Sequence, residues 1–329
     1  MMRLTEPTWF VADIARKDLK ALMRRTNTTG LARYAGWLGL LIASGWISWL
    51  SLGTVWAVPA FFIYGTLYCF AEPILHECSH GTAFKDRWLN ETIYFLTSLL
   101  LFKERNYHRW MHARHHSHTI ITGKDPEIQF PRPTSLFAFF VLEPFKILNA
   151  KQFIVTLVSH AFSRPTENTE KWVPENVHRN LFFWSRIQLL IYLVIIGGVV
   201  WFEVWVIFLF LFGPRFYGGF IHNMVAATQH VGLRDNVNDH RLNSRTVILG
   251  PVLSFLYWNM NYHLEHHMFP LVPFHHLPQL NEKIKKQTPK PYQNMAQAYN
   301  EMVRTIWRQQ SDPEYMVTPD LPPNPSSTA

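Results

Sequence analysis

The chain has 329 residues, 48% of them hydrophobic and 15% aromatic, with two cysteines, Cys69 and Cys78. That cysteine count excludes a disulfide framework, and the dense apolar runs exclude a chain that is disordered throughout. The net charge of +8 comes largely from basic residues that border apolar runs; it is therefore assigned to a cytoplasmic membrane face, and no nucleic-acid partner is expected.

Arg16, Lys17, Lys20, Arg24, Arg25 and Arg33 precede the first apolar run, so residues 1–33 are read as a basic cytoplasmic segment, too polar to form a signal peptide. Residues 34–52 and 55–75 are each roughly 20 residues long, enough to cross a hydrocarbon layer. The short break between them makes a hairpin. Pro73 is expected to bend the second helix before His76. Phe61, Tyr64 and Tyr68 share one face of that helix, which favours packing over a substrate wall. Cys69 reads as a small buried residue; Cys78, between two histidines, is a candidate metal ligand. Residues 93–102 are apolar but too short to span, so an interfacial or re-entrant element is expected. Glu143, Lys146 and Lys151 interrupt the run 136–157, which reads as an amphipathic element on the membrane face. Residues 164–180 read as a loop. The third and fourth crossings are placed at 182–201 and 204–219, with Arg186 and Arg215 snorkelling at their cytoplasmic ends. Both short turns lack Lys and Arg while the long segments carry them, which puts both termini and every histidine cluster in the cytoplasm. The expected fold is an all-α integral membrane protein with four transmembrane helices and a cytoplasmic helical cap carrying the metal site. Residues 34–290 form the catalytic domain in this reading, and residues 291–329 a C-terminal helix and a disordered Pro-rich tail.

Residues 108–118, HRWMHARHHSH, concentrate histidine beyond what packing can use. His76 and His80 lie at i,i+4 in HECSH. His112, His115 and His116 lie at i, i+3 and i+4 in HARHH, and His263, His266 and His267 repeat those offsets in HLEHH. On a helix such offsets share a face. Eight imidazoles are too many for one transition-metal ion and suit two. HECSH also satisfies the HExxH pattern of zinc proteases, with Glu77 as base, but that reading leaves the other two clusters idle.

With these three boxes and this span order, residues 34–290 resemble the membrane fatty acid desaturase and hydroxylase superfamily. The resemblance implies two non-haem iron ions, dioxygen and two external electrons, used to attack an unactivated C–H bond. It implies that the catalytic metal ligands are His76, His80, His112, His115, His116, His263, His266 and His267, and that His230 in TQHVGL completes the set. Zinc can occupy such ligands in a purified sample but cannot cycle oxidation state. Desaturases of coenzyme A thioesters often carry an asparagine four residues before the last of these histidines; here that position is Ala226. The implied activity is desaturation of a fatty acyl chain, lipid-linked or thioester. The alternative is a membrane diiron hydroxylase acting on a lipid, a carotenoid or another apolar substrate. The implied partners are a membrane lipid or acyl substrate and a separate ferredoxin or cytochrome. The implied location is a bacterial inner membrane or the endoplasmic reticulum; the oligomeric state is left open.

His108 and His222 are further candidate ligands by spacing. Glu77, Asp125, Glu265 and Glu72 are candidates to accept the second N–H of a ligating imidazole. Asn261 either orients a ligand or caps local backbone. Arg241 and Arg245 either bind an acidic headgroup or carboxylate, which the guanidinium fork suits, or form a positive flank. His160, His178 and His240 show no metal partner in the sequence, and His275 and His276 are placed outside the ligand set.

Overall fold

The structure is a computed structural model that describes residues 8–128 and 134–323. Among the described residues the fold is all helical, with isolated bridges such as Leu233 to Val317 and no sheet. The chain divides into two compact units, one of Thr26–Ala113 and Phe137–Met224, the other of Met1–Arg25, Arg114–Leu136 and Val225–Ala329.

The first unit opens with a hairpin of Asn27–Leu50 and Ala57–Cys69. The Thr26 hydroxyl accepts the Thr29 N–H and caps the first helix. The Trp37 indole N–H donates to the Leu67 carbonyl at 2.8 Å, joining the two. The bend expected from Pro73 falls at Phe70, because Pro73 has no N–H to offer the Cys69 carbonyl. The helix ends at Cys69 and resumes as Ala71–His80, then stops at Gly81 in the left-handed conformation (φ 67°). The aromatic stripe packs as foreseen: the Tyr64 hydroxyl donates to Phe210 and the Tyr68 hydroxyl to Leu211, at 2.9 and 2.7 Å. A Cβ on Gly218 would lie 2.1 Å from the Gly65 carbonyl, so these backbones meet where no side chain fits.

Among the described residues two helices are long and apolar enough to cross a membrane, Ala57–His80 and Glu175–Trp201. Leu190, Leu193 and Val194 of the latter are largely exposed, an apolar outward face that suits lipid. Together they support an integral-membrane location. The other two expected crossings differ. Asn27–Leu50 is long enough, but Gly39, Ser44, Gly45 and Ser48 dilute its apolarity. Residues 204–219 are not one helix: they break into Ile207–Leu211 and Pro214–Tyr217, because Pro214 can only begin a helix. The run 136–157 is likewise divided, turning at Lys146 (φ 50°) before Ile147–Ala161. The expected loop 164–180 holds a short helix, Glu167–Trp172, started by the Thr166 hydroxyl accepting the Thr169 N–H and by two acidic residues in its first turn.

The second unit holds the third histidine box in His263–Met268, followed by Leu277–Ile284 and Met295–Arg308. Beyond the last helix, Val317 donates to the Gly232 carbonyl at 2.8 Å, which ties the chain down to that point. Residues 324–329 of the expected disordered tail lie outside the described residues.

Candidate metal centre

In the first unit, His76 and His80 project from one turn-and-a-bit of Ala71–His80, and His112 comes from Arg105–Ser117. The His80 and His112 Nε2 atoms are 2.9 Å apart, and the His76 ring centroid is 4.3 Å from that of His112. The helix carrying the second box is held at its start. The buried Glu104 carboxylate accepts the N–H groups of Tyr107 and Asn106 at 2.6 and 3.3 Å, and Glu91 pairs with both Arg105 and Arg109. The Tyr94 hydroxyl donates to the Arg105 carbonyl at 2.7 Å, which leaves its oxygen to accept the His108 Nδ1–H at 2.9 Å. His108 therefore lies parallel to His112, centroids 5.9 Å apart, rather than among the converging nitrogens. His222 stands edge-on to Phe70 and is also outside them. Cys78 is buried and, among the described residues, joins no histidine group.

In the second unit, one nitrogen each of His115, His230, His263 and His267 converge within 4.8 Å of one another. Three of these rings have their tautomer set by what touches Nδ1 (Nδ1 must carry the proton when it faces a pure acceptor). His115 donates to Asp125 Oδ2 at 2.8 Å, and His230 to the Asn243 carbonyl at 2.7 Å. The Thr119 hydroxyl donates to the His115 carbonyl at 2.8 Å, so its oxygen accepts the His267 Nδ1–H at 3.0 Å. All three then turn an unprotonated Nε2 toward the common point. The His263 Nε2 lies 2.9 Å from those of both His230 and His267. Lone pairs repel at that range, and a single proton on His263 can serve only one neighbour. A cation of the imidazole-binding transition series fits this donor set.

Electrostatics agree with that fit at His230 and His267. Burial holds His230 down to about 3 and His267 well below the ordinary histidine value, so both are neutral donors. Burial also lowers His115, but the Asp125 carboxylate outweighs it and the balance is upward. Asp125 is steadied in turn by the N–H groups of Ile120 and Glu127 at 2.7 and 2.8 Å. Asn243 also donates its amide to the Thr119 carbonyl at 3.1 Å, linking the segments that orient His230 and His267. In the same unit the Nε2 atoms of His116 and His266 are 3.2 Å apart.

Other residues singled out in the sequence have the following partners. Glu72 pairs with Arg215 and Lys103, at 2.8 and 3.2 Å, rather than with His76. Glu77 accepts from the Thr82 hydroxyl at 2.8 Å. Glu265 accepts from Thr246 and Asn281, both at 2.5 Å, and burial raises its pKa. Asn261 exchanges bonds with Val247, the capping alternative. Arg241 is engaged by Asp239, and Arg245 by Glu301 and the Val231 carbonyl, so neither presents a free fork to a headgroup. Charge is visible in a sequence, but its partner is not. His276 donates to the Leu22 carbonyl and His160 meets the Thr169 hydroxyl. Thr119 and Asn243 escaped the sequence reading. The available signal for Thr119 was a hydroxyl one helical turn after His115.

The sequence profile of the fatty acid desaturase family matches residues 54–299, a stretch containing all three boxes and His230. The chain belongs to that family. It is 28% identical over 238 residues to a sphingolipid delta(4)-desaturase DES1-like protein of Arabidopsis thaliana, covering 71% of this chain and 63% of that protein. It is 21% identical over 253 residues to the delta(5) fatty acid desaturase fat-4 of Caenorhabditis elegans, covering 67% of this chain and 55% of that one. The match thus spans less than two thirds of the length of either relative. Family membership and the histidine clusters support an oxidoreductase role.

Proposed function

We propose that this chain inserts a double bond into a membrane-delivered fatty acyl chain, using nine histidines to hold two iron ions. The observation that carries the reading is the nest of His115, His230, His263 and His267, in which three rings are oriented through Nδ1 and all four aim one nitrogen at one point. Iron bound there would supply dioxygen activation and one-electron redox chemistry, which a saturated C–H bond requires. The chain's own residues orient the ligands, and burial keeps His230 and His267 neutral. Asp125, Thr119 and the Asn243 carbonyl take the outer imidazole protons, and burial excludes the water that would compete. The balance is that substrate loses two hydrogens while dioxygen takes up those two, two electrons and two further protons, leaving two waters. The name of one relative, a sphingolipid desaturase, favours a lipid-linked acyl chain over a thioester, as does Ala226 where thioester enzymes often carry asparagine.

Expression in a host of defined lipid composition, followed by mass spectrometry, tests the reading. The principal product is expected to lack two hydrogens and retain no oxygen, and His263→Ala is expected to abolish it. Retention of one atom of labelled dioxygen would make the chain a hydroxylase, since hydroxylation needs the same oxidant and differs in substrate placement.

A further inference from the structure

The N-terminal segment ahead of Arg16–Leu22 lies across the third-box region of its own unit. Phe10 donates its N–H to the Asn238 carbonyl at 3.2 Å, and the Arg241 guanidinium sits 3.3 Å from the Phe10 ring centroid. Ala12 donates to the Met268 sulfur at 3.1 Å, directly after the box. Asp13 and Gln287 exchange two hydrogen bonds, at 2.7 and 2.8 Å. The Trp9 indole N–H donates to the Ser117 carbonyl at 3.2 Å, and its ring stacks on His240 at 4.3 Å with planes 9° apart. His240 is buried, and its ring centroid is 5.2 Å from that of His267. Trp9 keeps part of its surface in solvent. Neither Trp9 nor His240 belongs to the converging nitrogens, so the nest does not account for this stack. It is a continuous line of aromatic rings from the surface to a member of the nest.

A second observation lies beside the strap. Arg16–Leu22 runs along Leu277–Ile284, joined by Lys283 to Asp18 at 3.0 Å and by His276 to the Leu22 carbonyl at 2.6 Å. Arg16, Lys17, Lys20 and Arg24 on one side, and Lys285 and Lys286 on the other, are exposed. They outnumber the nearby carboxylates, of which Asp18 and Glu282 are already paired with Lys283 and Lys285. Such a face raises the local concentration of an acidic partner and orients its approach.

We propose that this basic face docks a small acidic one-electron carrier protein, and that Trp9 and His240 are the path by which its electrons reach the nest. The proposal rests on the reading above, in which each turnover needs two electrons. Two successive carriers each lose one electron, and the metal centre gains one from each. Electron tunnelling falls off exponentially with distance, so rings in van der Waals contact make a better path than the surrounding aliphatic side chains.

The test uses the full-length iron-loaded protein in an uncharged detergent and a reduced plant-type [2Fe–2S] ferredoxin as probe. Wild-type binding is expected to weaken as salt rises. Lys17→Glu with Lys20→Glu should raise Kd by about tenfold or more. Trp9→Leu should leave Kd and iron content unchanged while slowing ferredoxin oxidation about tenfold in stopped flow, and Trp9→Phe, which keeps a stacked ring, should recover most of the rate. Salt-insensitive or absent binding by the wild type overturns the docking face. So does an unchanged ferredoxin Kd in the charge-reversed variant combined with lost binding to phosphatidylglycerol vesicles, which would assign the face to the membrane. Ferredoxin oxidation by Trp9→Leu at the wild-type rate overturns the path. Dithionite separates these failures from failure of the functional reading: a dithionite-reduced wild type that forms no alkene sinks that reading, whereas alkene formed with dithionite alongside unaffected variants sinks the docking proposal alone.

Discussion

Each imidazole of the nest acts as a donor only if its outer nitrogen carries the proton, so the groups that take that proton matter almost as much as the ligands. Asp125 does this for His115 and Thr119 for His267. Asp125→Ala and Thr119→Val are each expected to weaken metal binding about 10–100-fold, measured by competition between the protein and a chelator for cobalt or zinc. Asp125→Ala should be the more severe, because Asp125 also holds the N–H groups of Ile120 and Glu127. An unchanged affinity in both variants would remove the tautomer argument. The three boxes were legible because helix geometry fixes i, i+3 and i+4 on one face whatever the tertiary structure does. Thr119 was not, since its contact with His267 spans 148 residues of sequence, and Asn243 was not, since it meets His230 through a backbone carbonyl that every residue carries. The partners of Arg241 and Arg245 were not legible for the same reason: Asp239 and Glu301 meet them only after folding.

At the level of single elements, what the sequence conveyed best was where helices exist, and what it conveyed least was where they break. Pro214 divides the expected fourth crossing, and Thr166 with two glutamates builds a helix inside an expected loop. The second-box helix depends on its first turn, where Glu104 accepts two backbone N–H groups while sitting 4.0 Å from the His160 Nδ1. Burial pushes Glu104 up to about 7 and His160 down to about 4, so both are neutral in the folded state near pH 5 to 6. The signs are opposite. Unfolded glutamate releases its proton at lower pH than the folded one, so the Glu104 contribution is lost as pH rises from the ordinary glutamate value through about 7. Unfolded histidine takes up a proton that folded His160 refuses, so its contribution is lost as pH falls from the ordinary histidine value through about 4. Glu104→Gln can still cap the helix but cannot ionise. Its Tm in detergent is expected to fall much less than that of the wild type between pH 6 and pH 8, with the acid-side loss retained. An equal alkaline fall in both proteins would show that another group sets it.

For the molecule as a whole, the question is which ends of the long helices face which side of a membrane. A helix of 24 residues, as in Ala57–His80, is about 36 Å long, enough to cross a hydrocarbon core of about 30 Å. At its start Trp56 is 72% exposed, and at the end of the other long apolar helix Trp201 is 82% exposed. Phe202 and Trp205 are exposed in the turn after Trp201, and Trp46 and Trp49 near the first hairpin turn. Exposed tryptophans gathered at two turns without lysine or arginine are what an interfacial aromatic belt on the far side requires. Lys85 and Arg87 follow the opposite end of Ala57–His80, just after the first box. Cys69 and Cys78 are buried, so introduced cysteines can report alone. In intact cells, Thr54→Cys and Glu203→Cys are expected to react with a membrane-impermeant maleimide, and Lys85→Cys only after permeabilisation. Reaction of Thr54→Cys and Lys85→Cys from the same side would mean that Ala57–His80 does not cross, and the proposed ligands His76 and His80 at its end would then need another route to the proposed bilayer-borne substrate.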